Sequence, residues 1–289
     1  MSFVKPFMGF ALGDAFGSMF EGLTRDEVSR RLRYFKRRGK VVSDVTDDTI
    51  QVLILAESLA STIHFSPQDF SERLKLAYES GKIPKIGPTT SKAVEKLKLG
   101  CSWRESGVNS NTCGSAMRVM PLALLYSFDL NLVEKYSALQ SVVTHTNREA
   151  IASSIALALT YACVFRGELE KRAKEIVERV RSYDVYTSIS IEKAFEGNYE
   201  YRGTILAFDV VSFAIQCYLY SESYPDCLLN SVMAGGDTDT VAAIAGGLKA
   251  IEVEDKEVKF PLVEIKDSVK EEIVRVTEKL WRVYEFISR

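Results

Sequence analysis

Two short stretches hold the residues best suited to chemistry, Thr46-Asp47-Asp48-Thr49 and Gly235-Gly236-Asp237-Thr238-Asp239-Thr240. Each stands immediately before an apolar run of helical period. Inside a helix, adjacent side chains diverge by about 100° and the i, i+2 pair by about 200°, so neighbouring aspartates there cannot converge on one ligand. At an N-terminal turn they can, because the backbone is not yet helical, Asp and Thr are favoured caps, and the helix dipole tolerates negative charge. Taken alone, either stretch reads as ordinary capping. Capping needs one oxygen acceptor per helix, whereas these stretches gather four aspartates and several threonines beside glycines that permit close backbone approach. If they meet in space, their carboxylates repel strongly unless cations lie between them.

The candidate ligands are all hard oxygens, and neither His64 nor His145 belongs to a His/Cys cluster of zinc spacing. Magnesium, or manganese, is the expected ion. Two such ions, about 3.5–4 Å apart and sharing an aspartate, would orient vicinal hydroxyls and activate water, which suits hydrolysis at a ribose or a phosphate.

The elements that must position these residues are helical. Apolar periodicity predicts helices over 7–20, 50–63, 68–79, 91–99, 117–126, 148–165, 168–180, 205–220, 226–234, 238–251 and 266–287. Ser66-Pro67 marks one start, and Pro121 starts or kinks another. Residues 103–112 read as loop and 253–263 as a short extended or loop piece; strand signals are otherwise weak. Phe3, Phe7, Phe10, Phe16 and Phe20 have the spacing of a core stripe. No repeat or flexible linker divides the chain, so residues 1–289 are expected to form one all-α domain with loops on one face.

Composition narrows the function further. The 289 residues are 46% hydrophobic, enough for a substantial core, and 37 Lys and Arg against 39 Asp and Glu leave a formal charge of −2. No global excess draws nucleic acid or an anionic membrane. The local basic run Arg30, Arg31, Arg33, Lys36, Arg37, Arg38 and Lys40 reads as a solvated face before a phosphate-binding one. Five widely spaced cysteines with no Cys-x-x-Cys pair fit reduced thiols. Asp14 within the first apolar stretch argues against a secretory signal, and a cytoplasmic protein is expected. The apolar segment 150–165 falls short of the ~20 residues that span a bilayer and reads as a buried core helix.

Landmarks along most of the chain share one order. They are Gly9-Phe-Ala-Leu-Gly-Asp14-Ala-Phe-Gly17 with Glu21, Thr46-Asp-Asp-Thr49, Gly87-Pro-Thr-Thr90, Gly114-Ser-Ala-Met117-Arg118 with Pro121, Thr144-His145, and Gly235-Gly-Asp-Thr-Asp-Thr240 followed by Gly246-Gly247. In these the sequence resembles the ADP-ribosylglycohydrolase family. The resemblance implies a compact all-α orthogonal helical bundle of that family's type, with a binuclear magnesium centre at the base of a cleft. Thr46, Asp47 and Asp48 would serve the ions from one side and Asp237, Asp239 and Thr240 from the other. Glu21 matches the acidic residue proposed to act on the water; in some members a metal-bound aspartate, Asp48 here, is the base instead. Gly114 and Ser115, with Ser110 and Asn111 upstream, match the diphosphate-facing stretch, and His145 matches a histidine near the distal ribose or diphosphate. Asp14 is read as a partner of backbone amides rather than a metal ligand, and Arg118 as its salt-bridge partner. The chain departs from the family at Val45, where tryptophan is frequent, at Thr112-Cys113, where Asn-Gly is common, and at Ser212, where proline is usual.

The expected activity is hydrolysis of the glycosidic bond between ADP-ribose and a protein side chain or small acceptor, by a monomer with no membrane partner. Nucleic acid is expected only as an ADP-ribosylated substrate. Two other functions stay open at this stage: a phosphoester or pyrophosphate hydrolase using the same ions, and an ADP-ribose-binding or structural protein without turnover.

Overall fold

The computed structural model describes residues 2–62, 64–83 and 85–289. The described residues form fourteen α-helices: α1 (Val4–Gly17), α2 (Arg25–Arg38), α3 (Asp47–Thr62), α4 (Pro67–Glu79), α5 (Pro88–Lys98), α6 (Met120–Leu125), α7 (Leu130–Val142), α8 (Arg148–Arg166), α9 (Leu169–Arg181), α10 (Val185–Phe195), α11 (Ala207–Leu219), α12 (Tyr224–Met233), α13 (Thr238–Glu252) and α14 (Asp267–Ile287). A two-stranded parallel sheet, β1 (Val41–Ser43) with β2 (Val263–Ile265), is the only sheet among them. The fold is all-α.

Local chemistry sets many of the helix ends. Ser66 Oγ accepts the Asp69 amide at 3.2 Å ahead of Pro67, Asp129 accepts the Asn131 amide at 2.8 Å, and Asn147 accepts that of Glu149 at 2.9 Å. The periodicity misses α2, which buries only Val28 and Leu32 among its charges, and α7 and α10, each of which buries polar residues that blur its apolar stripe: Ser137, Gln140 and Ser141 in one, Thr187, Ser188 and Ser190 in the other. The expected helix 7–20 begins and ends three residues earlier; the chain beyond Gly17 folds into tight turns, with the Phe20 amide on the Gly17 carbonyl at 2.8 Å. The expected end of the third helix, Ile63, lies outside the described residues. The extended piece 253–263 holds a 3₁₀ turn, Asp255–Glu257, before β2.

At the centre, α1 and α13 lie against each other at backbone contact. Gly9, Gly13 and Gly17 recur every fourth residue on α1 and so share one face. A Cβ at Gly13 would overlap the Ala242 carbonyl, and one at Gly17 the Thr238 carbonyl. Tyr224 and Tyr161 clamp the pair, donating their hydroxyls to Gly9 O at 2.8 Å and Ile244 O at 2.9 Å. Phe3, Phe7, Phe10, Phe16 and Phe20 are all buried in the surrounding core. Helix α8 is long and apolar enough to cross a membrane by length and composition, but 83% of its apolar window is buried within the protein. It packs against α7, α9 and α11 as a core helix.

Candidate active site

The close pairing of α1 and α13 brings the C-terminal end of one helix to the N-terminal end of the other. Beyond α1 the chain is tied to the Gly-Gly loop: the Gly22 amide donates to Gly236 O at 2.9 Å, and the Gly236 amide to Leu23 O at 3.1 Å. Gly235 and Gly236 have φ of 75° and 78°, a conformation that side chains resist, and a Cβ at Gly236 would press on the Gly203 backbone at 2.8 Å. Glu21 thereby comes to line the same cleft as Asp237 and Asp239.

Asp14 organises the other acidic stretch. Buried in α1, its carboxylate accepts the Thr46 amide at 3.0 Å, the Thr49 amide at 3.2 Å and the Thr49 hydroxyl at 2.5 Å. It thus caps α3 from outside and fixes where Asp47 and Asp48 leave the helix end. The expected Arg118–Asp14 ion pair does not form. Arg118, fully buried, donates instead to Gln51 Oε1 at 2.9 Å, Gln140 Oε1 at 3.0 Å and Thr144 Oγ1 at 2.7 Å, because Asp14 is already satisfied by the α3 end. Gln51 in turn donates to Asp47 at 2.8 Å. Arg118 therefore reaches the acidic cluster through an amide rather than directly.

The two acidic stretches meet. Thr240 Oγ1 donates to Asp48 Oδ2 at 3.1 Å across 192 positions of sequence. Their charges act on one another. Burial first, then the charge of Asp239, pushes the Asp47 carboxyl up to about 6 and those of Asp48 and Asp237 well above the usual carboxylate range. Asp14 rises to about 7, chiefly through burial and against the hydrogen bonds from Thr49 and Thr46. Glu21 is also raised, foremost by Asp239 and opposed by Lys85. Among the described residues no group of three His, Cys, Asp or Glu side chains is arranged to hold a metal ion. What the cluster offers a cation is its donor chemistry: buried carboxylates and threonine hydroxyls, all hard oxygens, with more negative charge than nearby cations offset.

These residues form the base of a cleft of about 460 Å³. Its opposite wall comes from residues 87–90, 112–114 and Met117 with His145. The wall is pinned by two bridges. Val108 pairs with His145, the Val108 amide donating to Thr144 O at 2.9 Å, and Thr112 pairs with Leu206, which carries Ile205 into the cleft. Asp209 shapes that last loop, accepting the Thr204 amide at 3.1 Å and the Tyr199 hydroxyl at 2.7 Å.

His145 links wall to core. Its Nδ1 lies 2.8 Å from Thr144 Oγ1 and its Nε2 3.0 Å from Thr112 Oγ1. Thr144 Oγ1 also accepts from Arg118, so the imidazole bridges the buried arginine's partner and the cleft-facing Thr112. Burial, reinforced by Arg118, pushes this imidazole down to about 3, so it is neutral. Thr112 passes the chain on to Ser110 at 3.2 Å, and Thr89 donates to Ser110 at 2.9 Å.

The cleft lining thus includes Glu21, Asp47, Asp48, Asp237, Asp239, Thr240, Gly114 and His145. Thr46 stands one residue behind, its hydroxyl accepting the Asp48 amide at 3.2 Å. Ser110 supports the wall through Thr89 and Thr112. Ser115 is fully buried, its hydroxyl accepting that of Ser141 at 2.8 Å, and Asn111 donates to Glu149 at 2.8 Å. Neither side chain is among those lining the cleft. Lys85, Thr112, Cys113 and Ile205 do line it, as do Thr89 and Thr90. Thr89 and Thr90 were legible only as a landmark and Thr112-Cys113 only as a departure from the family's pattern, while Lys85 and Ile205 gave no signal because loop packing alone delivers them. Tyr201, likewise silent in the sequence, stacks on Phe213 at 4.3 Å and accepts the Asp237 amide at 3.2 Å.

The family model for ADP-ribosylglycohydrolases matches residues 3–285. A protein of Archaeoglobus fulgidus with no assigned function is 38% identical over 259 residues, 84% of each chain. The ADP-ribosyl-[dinitrogen reductase] glycohydrolase of Rhodospirillum rubrum is 25% identical over 253 residues, 84% of this chain and 82% of that one. Among solved structures, an ADP-ribosylglycohydrolase-related protein complex superposes with a TM-score of 0.74 over 98% of this chain and 97% of that one, at 24% identity, which speaks to the fold. The chain is a glycosyl hydrolase of the ADP-ribosylglycohydrolase family.

Proposed function

We propose that this enzyme hydrolyses the glycosidic bond joining ADP-ribose to a protein side chain or small acceptor, using two magnesium ions, or manganese, held by Thr46, Asp47, Asp48, Asp237, Asp239 and Thr240. The reading rests above all on the meeting of the two acidic stretches, through Thr240 and Asp48, at the base of a cleft. Bound there, such ions would supply Lewis acidity and a template for the vicinal hydroxyls of a ribose. The names of the relatives support the substrate class.

The remaining chemistry belongs to the side chains. Glu21 lines the cleft, and the raised affinity of its carboxylate for a proton suits it to take one from the attacking water. Asp48 is the second candidate base, deeper and tied to Thr240. As the glycosidic bond breaks, positive charge develops on the ribose ring, and the carboxylates at the cleft base stabilise it. The far wall fits the diphosphate and distal ribose: Gly114, the hydroxyls of Thr89 and Thr112, neutral His145 and the Lys85 cation line it. Ser110, the Asn111 carbonyl accepting from the Ala207 amide and the Ser115 carbonyl accepting from Gln140 hold that wall in place.

The test is to incubate the purified protein, with and without magnesium, against ADP-ribosylated arginine, serine and nucleic-acid substrates and to identify the products. Magnesium-dependent release of free ADP-ribose is expected, and Glu21→Gln should slow it. AMP with ribose phosphate would point to pyrophosphate cleavage instead, and tight ADP-ribose binding without turnover to a binding protein.

A further inference from the structure

Helix α2 carries far more positive charge than the two acids of its first turn, Asp26 and Glu27, offset. Arg30, Arg31, Arg33, Lys36, Arg37 and Arg38 are all exposed, and among the described residues none is within ion-pair distance of an acid. Other helices pair part of their cations. On α9, Arg172 and Arg179 pair with Glu168, Glu175 and Glu134, and on α14, Lys270 and Arg275 pair with Glu264 and Glu57. In a chain of net charge −2 this helix is a local excess rather than part of a basic surface. Its position is also specific. Thr24 and Arg25, where α2 begins, line a second cleft of about 500 Å³ that shares Glu21, Ile205 and Asp237 with the first. Buried Val28 and Leu32, with Phe35 on Phe20 at 5.9 Å, fix the helix to the body, so the basic face leads away from the rim of the active site.

We propose that α2 docks the phosphodiester backbone of a nucleic-acid strand whose ADP-ribose group enters the cleft; this rests on the ADP-ribose reading above. Five of the six cations just named are arginines, whose planar fork matches phosphate oxygens. The nine residues that carry these cations, 30–38, extend ~14 Å, the rise of about four phosphates along one strand. Tyr34 stands among these arginines, 55% exposed, its hydroxyl accepting from Arg38 at 3.0 Å. An exposed ring within a basic face is a platform for a nucleobase. An acidic protein segment would match the charge but offer nothing to stack on it.

The test uses the full chain and a fluorescent, unmodified single-stranded 12-mer followed by anisotropy over a salt series. Saturable binding at low salt is expected. The variant Arg30→Gln/Arg31→Gln/Arg33→Gln/Arg37→Gln should bind at least tenfold more weakly, with a log–log salt slope shallower by about 3, four contacts at ~0.7 each. Tyr34→Ala should weaken binding about fivefold or more at an unchanged slope. On an ADP-ribosylated oligonucleotide the quadruple variant should raise KM at unaltered kcat, while turnover of a small ADP-ribosylated substrate stays at the wild-type rate. No oligonucleotide binding, an unchanged slope in the variant, or displacement of the oligonucleotide by polyglutamate at equal charge would overturn the proposal, the last in favour of an acidic protein partner. If no ADP-ribosylated substrate is turned over by the wild type, the reading of the cleft fails while the anisotropy still decides the role of α2.

Discussion

Asp239 is the charge most felt by its neighbours: it leads the influences raising Glu21 and follows only burial at Asp47, Asp48 and Asp237. Replacing it with asparagine removes that repulsion along with a proposed ligand. Asp239→Asn should therefore lower kcat/KM by about two orders of magnitude or more, a barrier change of ~3 kcal/mol, while raising the melting temperature of the metal-free protein. A variant both inactive and less stable without divalent ions would refute the repulsion argument. His145 gives the residue scale its pH dependence. Its folded value, about 3, lies below the ordinary 6.5, so between these limits the unfolded chain binds a proton that the native ring does not. Stability is then lost as pH falls below about 6.5, by ~1.4 kcal/mol per unit from this group. Urea titrations from pH 7 to 4.5 should show a shallower fall for His145→Gln, whose side chain carries no such proton. The acidic motifs were legible at this scale because each packs its chemistry into six residues or fewer at a helix start. Lys85 and Ile205 were not, since only long-range loop packing puts them in the cleft.

At the scale of elements, the pairing of α1 with α13 sets the distance between Glu21 and the second acidic stretch. Gly13 is where the pairing is least forgiving, since a methyl there meets the backbone of Ala242 rather than a side chain that can swing away. Gly13→Ala should destabilise by about 3 kcal/mol or more, lowering the melting temperature by ~6 °C or more. Gly22→Ala is the control: nothing lies near its added methyl, and only its φ of 72° resists the change, at ~1 kcal/mol. Equal losses for the two would show that helix contact is not the constraint. The Gly-x-x-x-Gly-x-x-x-Gly spacing was visible in the sequence as a landmark, but its partner was not, because a stripe of small residues states how closely a helix is approached and not by which. Periodicity found eleven helix regions yet overlooked α2, whose charged residues leave only Val28 and Leu32 buried, and α7 and α10, where serine and glutamine take up buried positions. Ser137, for example, donates to Val133 O at 2.6 Å. Hydroxyls that bond back to their own helix occupy core positions without an apolar signal.

For the molecule as a whole, the cleft joins segments from both ends of the chain. Asp14 and Glu21 come from its start, Asp237, Asp239 and Thr240 from its last quarter, and the base of the cleft forms only when both are in place. A ligand binding there cannot bind the unfolded chain with comparable affinity, so its binding free energy adds to global stability. Magnesium or manganese should therefore raise the melting temperature of the wild type: at a hundredfold excess over Kd the gain is ~2.7 kcal/mol, or about 5–10 °C for a chain of this size. The shift should vanish in Asp239→Asn and should not be reproduced by sodium at equal ionic strength, since screening weakens carboxylate repulsion without coordinating it. Scanning calorimetry with and without EDTA measures this independently of any substrate. A wild-type transition that stays put from zero to 10 mM magnesium and manganese would leave the acidic stretches as helix caps that happen to meet, and would remove the metal from the proposed mechanism.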